Sequence, residues 1–341
     1  MKRLRVALDS GAFSMYNFKF APSKKGMESD KDRANYNYYK TDEFQDYLEA
    51  YIEYITEHVD ELDMYVVMDI IYNAKASLEV QKYMESCDLL PMPVFHYGEP
   101  WKYLESYLEN YEYVGVGGLG QSTSPQSYIA FGDEIFKRVL DSNGRPRNKM
   151  HGFAMTSVQL MKRYPWYSCD SSTWSSLSRN GWARFPRMTK TGEYDWLRKP
   201  IAWRFTKRSS HTPVHINKQS EAAKNQMEKY LNEMFQLSIE DMMTEGYLGR
   251  DVCNAGHTFL LSQALKKYYA EKWDYAEGAN IYLAANPGSG ISLHIIRREL
   301  TWAARPLPPD CPVRYLGSFF YPDAADILFE AMKPSERRKL K

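Results

Sequence analysis

Cysteine is scarce in this chain, with four in 341 residues, at Cys87, Cys169, Cys253 and Cys311. They are separated by 82, 84 and 58 positions, so no two are close enough to read as a zinc knuckle or a redox pair. Isolated thiols fit a reducing compartment, and the cytoplasm is the expected location. Long apolar runs are missing as well. No stretch reaches the roughly 18 apolar residues of a membrane-spanning helix, so no membrane partner is expected. The opening residues, MKRLRVALDSGAFS, contain two short apolar runs but neither a continuous apolar core nor a small-residue cleavage site, and no signal peptide is predicted. No G-x-G-x-x-G follows the first apolar run, which counts against a dinucleotide-binding fold. No internal repeat is visible.

Net charge is also nearly absent, at +1, but its distribution is uneven. Residues 42–112 hold 17 Asp and Glu against Lys75, Lys82 and Lys102, a balance of −14. Residues 179–218 hold ten Lys and Arg against Glu193 and Asp195, a balance of +8. A phosphate-bearing partner would be drawn to the second stretch. Trp182, Phe185, Tyr194, Trp196, Trp203 and Phe205 interleave with its charges, a mixture suited to backbone contacts plus base stacking. The same charges would equally serve as a solvated face. Aromatic residues are plentiful at 15%, and 27 of them are tyrosines, which offer an apolar body and a polar tip.

Apolar periodicity alternates along the first half. RVALDSG (5–11), MYVVMDII (64–71), PMPVFHYG (91–98), YVGVGGLG (113–120), KMHGFAM (149–155) and WYSCDSS (166–172) read as strands. The segments 44–59, 76–90, 101–111, 125–142 and 157–165 between them read as helices. Such alternation predicts a parallel sheet covered by helices, either doubly wound or a (β/α)8 TIM barrel with insertions. The barrel is favoured because Asp9, Asp69, His96, Gly117, Gly118 and Asp170 fall at successive strand ends, which a barrel gathers at one mouth. Any one Asp after a strand is also what a helix cap requires. The loop 15–41 is long and polar and reads as a lid. IAWRFTK (201–207) and NIYLAAN (280–286) are candidates for the remaining barrel strands, 219–273 is expected to be helical, and RYLGSFFYP (314–322) is a further candidate strand. KPSERRKLK (333–341) is expected to fray. The expected division is a catalytic core over 1–215 and a helix-rich C-terminal extension over 216–341.

Asp9-Ser10-Gly11-Ala12-Phe13-Ser14 resembles the D-S-G-G-F-Q signature of the tRNA-guanine transglycosylase family. Further segments follow in the family's order. Val67-Met68-Asp69 resembles the strand ending in a purine-reading aspartate, and Val94-Phe95-His96-Tyr97-Gly98 occupies the place of its V-Q-G-G. Val116-Gly117-Gly118-Leu119 matches its G-G-L turn, and His151-Gly152-Phe153-Ala154-Met155-Thr156 resembles the next strand. Cys169-Asp170 falls where the family carries its nucleophilic aspartate, and Arg179-Asn180-Gly181 resembles a downstream R-N-G. The resemblance spans residues 5 to about 181 and implies base exchange at C1′ of a nucleotide. It would make Asp170 the nucleophile and Asp9 the acid/base, with Asp69, Phe13, Ser10, His96, Gly117, Gly118 and Gly152 around the base. Two displacements through a covalent glycosyl-aspartate retain configuration, as in retaining glycosidases.

The departures from the family are informative. Its C-x-C-x2-C…H zinc site is missing, so no cofactor is expected, and Ser171-Ser172-Thr173-Trp174 stands where the family has P-T-R. In length, in DSGAFS and in SCDSSTW the chain resembles the short relatives of phages and bacterial modification clusters, which insert 7-deazaguanines into DNA. That resemblance implies DNA and a free preQ0-type base as partners, in the host cytoplasm if the source is a phage. Extracting guanine from the duplex requires a grip on the backbone. Its candidates are Arg179, Arg184, Arg187, Lys190, Arg198, Lys199, Arg204, Lys207 and Arg208, with Trp174 or Trp182 as a wedge. A tRNA substrate, a nucleoside or glycoside hydrolase, and a non-catalytic nucleic-acid-binding relative remain alternatives, as does a need for an accessory protein.

Overall fold

The computed structural model describes residues 7–16, 37–71, 73–118, 124–207, 210–244, 248–285 and 319–321. It is a mixed α/β structure. The chain divides into two units, the first made of Met1–Met155, Trp166–Asp170 and Pro306–Phe320 and the second of Thr156–Pro165, Ser171–Arg305 and Tyr321–Lys341.

Strands of the first unit follow chain order. They are β1 (Ala7–Leu8), β2 (Met64–Tyr65), β3 (Val94–His96), β4 (Tyr113–Gly117), β5 (Lys149–Gly152) and β6 (Ser168–Ser171). The pairs β1–β2, β3–β4, β4–β5 and β5–β6 are all parallel. A parallel bridge between Val66 and Met92 ties β2 to the segment entering β3, with Met92 N–H donating to the Tyr65 carbonyl at 2.8 Å and Val67 N–H to the Met92 carbonyl at 3.1 Å. The strands are shorter than the apolar runs suggested: Met68 and Ile70 are buried but lie beyond the last inter-strand contacts, made by Val66 and Val67. Phe319–Tyr321 joins this sheet antiparallel to β1, with Ala7 opposite Phe320.

The covering helices form where the 3.6-residue period and the caps agree. In Asp42–His58 the buried residues are Phe44, Tyr47, Leu48, Tyr51, Ile52 and Ile55, on one face, and Thr41 Oγ1 caps the first turn by accepting from Phe44 N–H at 3.3 Å. Asp42 and Glu43 lie in that positive first turn, where the helix dipole favours them. Asn73 caps Ala74–Ser86 through Ala76 N–H at 3.1 Å, and Ser124 caps Pro125–Val139, whose proline sits in the first turn, where no amide hydrogen is needed. Trp101–Asn110 follows β3.

The second unit contains Val158–Arg163, Thr173–Arg179, Glu221–Phe235, Ile239–Met243 and Leu248–Trp273 as helices and Asn280–Ala285 as a strand. IAWRFTK does not supply a barrel strand. Its residues Ile201–Arg204 pair antiparallel with Trp182–Phe185 in a separate two-stranded ribbon. The reason lies in the packing, since Phe185 turns its ring to Tyr230 and to Phe205, and Phe185 and Phe205 are buried within their own unit. Arg187–Met188 and Tyr194–Asp195 form a second antiparallel hairpin. Of the loop 15–41, residues 17–36 lie outside the described residues, as do Leu119, Arg208 and the expected fraying tail. No helix among the described residues is long and apolar enough to cross a membrane.

Candidate active site

The first unit brings Asp9, Asp69, His96 and Asp170 into one electrostatic neighbourhood. Asp9 directly follows β1. Gly11 takes a left-handed φ of 74° to start the short helix Ala12–Met15, a turn that a side-chain-bearing residue enters only at a cost. That turn aims the Gly11 and Ser10 amides at the Asp9 carboxylate. Ser10 is fully buried, with its hydroxyl accepting from Ala12 N–H at 3.3 Å and its carbonyl from Tyr47 Oη at 3.2 Å. Burial, then the negative charges of Asp170 and Asp69, push the Asp9 carboxyl up from 3.8 to about 7, against the two amides that pull it down. A carboxyl so placed exchanges protons at neutral pH.

Asp69 is held by its own loop. Ile70 N–H donates to Ser77 Oγ at 2.8 Å, Ile71 N–H donates to Tyr38 Oη at 3.0 Å, and Tyr51 Oη donates to the Val66 carbonyl at 2.8 Å. His96, the last residue of β3, faces it with Nε2 3.0 Å from Asp69 Oδ2. On the other side His96 Nδ1 stands 3.3 Å from Glu99 Oε1, and Glu99 Oε2 accepts from the His96 amide at 2.9 Å. Burial would lower the imidazole's pKa. The hydrogen bonds to Asp69 and Glu99 outweigh it and raise the value to about 10. The histidine is therefore an imidazolium at neutral pH, clamped between two carboxylates.

Gly117 lies opposite His96 in the ladder. A Cβ there would come within 3.1 Å of His96 Cδ2, so the glycine makes room for the ring. Gly118, at φ +79°, would set a Cβ 3.0 Å from the Tyr97 amide nitrogen. Gly152 closes β5 where a Cβ would meet that of Met155 at 2.8 Å and Cys169 Sγ at 3.3 Å. These glycines seat the histidine and the strand ends. Phe13 is 54% exposed.

Asp170 is buried on β6. Its Oδ1 accepts from Ala154 N–H at 2.9 Å and lies 3.4 Å from His151 Nε2. Ala154 adopts φ 54°, a left-handed conformation rare for a residue with a Cβ. Sequence reasoning did not assign roles to Glu99, His151, Ser168, Tyr113 or Tyr38. Glu99 and His151 carried a signal, as a polar residue three positions past a strand-end histidine and a histidine inside an apolar strand.

The basic residues of 179–218 belong to the second unit. Arg179, Arg187, Lys190, Arg198, Lys199 and Lys207 are exposed, whereas Arg184 and Arg204 are half-buried. Arg204 stacks its guanidinium 4.7 Å over the Trp182 ring, and burial lowers the pKa of Arg184. Asn254 fastens the ribbon by accepting from Arg184 N–H at 2.9 Å and donating to the Trp182 carbonyl at 3.0 Å. Trp174 is 4% exposed and donates from Nε1 to the Ala284 carbonyl at 2.9 Å, which makes it a packing residue and leaves no ring face for a base. Among the described residues no group of three or more His, Cys, Asp or Glu is placed to hold a metal ion.

No protein-family model, curated protein or solved structure matches the chain.

Proposed function

We propose that the chain is a base-exchange transglycosylase that replaces guanine in DNA by a preQ0-type 7-deazaguanine. The observation that carries this reading is the Asp9 carboxyl, held at about 7 by burial and by the charges of Asp170 and Asp69. Carboxyls pushed apart in proton affinity within one site divide into an acid/base and a nucleophile. Asp170 attacks C1′ while Asp9 protonates the departing guanine. The incoming base then gives its N9 proton to Asp9, bonds to C1′ and releases Asp170 as a carboxylate. The Asp69 carboxylate, with one oxygen on His96, accepts from the N–H edge of the purine. Phe13 stacks on the ring.

A (β/α)8 barrel is part of the proposal. Its support is the pairing of β1 to β6 in chain order, without the reversal that marks a doubly wound sheet. Preference for DNA rests on the resemblance to the short relatives of phages and bacterial modification clusters and on the exposed cations Arg179, Arg187, Lys190, Arg198, Lys199 and Lys207.

Duplex DNA and tRNA, each incubated with the protein and labelled preQ0, test the reading. Label entering DNA in wild type but not in Asp170→Ala is expected. Label entering only tRNA would keep the chemistry and change the substrate. Abasic sites formed without any added base would mean hydrolysis instead.

A further inference from the structure

Behind Asp170 lies a buried polar chain that the reaction described above does not use. Tyr113 Oη is 2.5 Å from Ser168 Oγ, and Ser168 Oγ is 2.6 Å from His151 Nδ1. His151 Nε2 then approaches Asp170 Oδ1 at 3.4 Å. His151 and Ser168 are fully buried. Phe153 meets the imidazole edge-on at 4.5 Å and limits its rotation. A buried hydroxyl or imidazole needs partners with matched donor and acceptor roles. In the donor order that puts a proton beside Asp170, Tyr113 donates to Ser168, Ser168 donates to His151 Nδ1, and Nε2 carries its hydrogen 3.4 Å from Asp170 Oδ1, outside hydrogen-bond geometry.

This order has a consequence for the carboxylate. Oδ1 takes the Ala154 amide at 2.9 Å and faces Nε2–H of His151. Among the described residues Asp170 Oδ2 accepts no hydrogen bond. We propose that Tyr113, Ser168 and His151 form a relay that turns Asp170 Oδ1 into the protein and leaves Oδ2 as the atom that attacks C1′, with His151 as a positioning residue. The proposal rests on the base-exchange reading of Asp170. The bond Oδ2–C1′ forms as C1′–N9 breaks, the electron pair leaves on guanine with a proton from Asp9, and the second displacement returns both. His151 keeps its proton throughout and tightens toward Oδ1, as catalytic hydrogen bonds that are long in the free enzyme do.

Two measurements decide it on the full chain. The first is the tautomer of His151 by nitrogen NMR on protein labelled in histidine, which needs no activity. Nε2–H with a bare Nδ1 is expected in wild type, and loss of that single tautomer in Ser168→Ala. A proton on Nδ1 overturns the relay. The second is base exchange by His151→Phe and Ser168→Ala. On the order of a 100-fold loss in kcat is expected for the first, the scale of a misplaced reacting group, with little change in KM for the base. Ser168→Ala should lose less, retain its fold if His151→Phe does not, and add little when combined with His151→Phe, because both act through one contact. Unchanged kcat in both variants, while Asp170→Ala is inactive, overturns the relay and leaves the base-exchange reading standing. If wild type exchanges no base, that reading falls, and the tautomer alone decides whether the relay exists.

Discussion

His96 Nε2 stands 3.0 Å from Asp69 Oδ2, and through Glu99 on its other face the imidazole is held as a cation with a pKa of about 10. An unfolded histidine titrates near 6.5. The imidazolium therefore contributes stability that is fully present below pH 6.5 and is lost as pH rises toward 10. The melting temperature of wild type should fall across that window, and His96→Gln should flatten the slope. His96→Ala strands two buried carboxylates and should cost roughly 3–5 kcal/mol at neutral pH. Denaturant melts at pH 6, 8 and 10 check both statements.

Asp9 shifts in the same direction, but there the raised value favours the neutral form. Its folded value of about 7 lies above the ordinary 3.8, so the native state prefers the neutral acid. Ionising it in the folded chain lowers stability progressively between pH 4 and pH 7, and the deficit stays constant above that. Asp9→Asn mimics the neutral acid. It should be more stable than wild type at pH 8 and closely matched at pH 4, while base exchange is abolished. A variant that gains nothing at pH 8 would remove the argument for a protonated Asp9.

Asp170 is the larger of the two charges acting on Asp9. Replacing it by Asn should lower the Asp9 pKa, though not to 3.8, because burial is the first cause of the shift and survives the change. Infrared titration of the Asp9 carboxyl stretch in Asp170→Asn reads this directly. Asp69→Asn should give a smaller move in the same direction. Equal values in wild type and both variants would mean that the three carboxylates do not share a site.

How much of this was visible in the residues can be judged element by element. The helix Asp42–His58 announces itself through Thr41 and a regular apolar face, and the strand ends were placed by Asp9, His96 and Asp170. Local rules suffice there. Ile201–Arg204 was misplaced because β-branched and aromatic residues predict a strand but not its partner. What chose the ribbon was a cluster of rings around Tyr230 drawn from distant segments. Trp174 looked like a wedge among basic residues, but the Ala284 carbonyl, 110 positions away, gives its indole a buried partner. Ser168 was invisible for a related reason, since its role exists only once β5 and β6 pair and bring its hydroxyl to His151.

Gly117 and Gly118 separate two effects that the G-G pair conceals in the sequence. In Gly117→Ala the new methyl meets the His96 ring at 3.1 Å, so the ring must shift a few tenths of an ångström from Asp69. The expected result is a raised KM for the base with modest loss of stability. In Gly118→Ala the backbone itself is strained at φ +79°, which costs roughly 1–2 kcal/mol. Melting curves and exchange kinetics on both variants distinguish a displaced histidine from a strained turn.

The basic residues of the second unit make the final test, because exposure divides them. Arg187 and Lys190 are exposed, with Arg187 Nε donating to the Lys199 carbonyl at 3.0 Å. Substituting either by Ala should weaken DNA binding to a similar degree on every sequence. Each phosphate contact removed should lower the slope of log K against log salt by about 0.9. Arg204 covers a face of Trp182 at 4.7 Å, so Arg204→Ala removes both a charge and a stacking partner and should cost more than a salt slope alone accounts for. Trp174→Ala is the contrast. Its indole is buried, and its loss should destabilise the fold by roughly 3–5 kcal/mol without altering the salt slope of whatever protein remains folded. Binding titrations at several salt concentrations, corrected for folded fraction, therefore sort a DNA-facing surface from packing. If Arg187→Ala, Lys190→Ala and Arg204→Ala all leave affinity and slope unchanged, the basic segment is a solvated face, and the grip on nucleic acid must come from elsewhere in the chain.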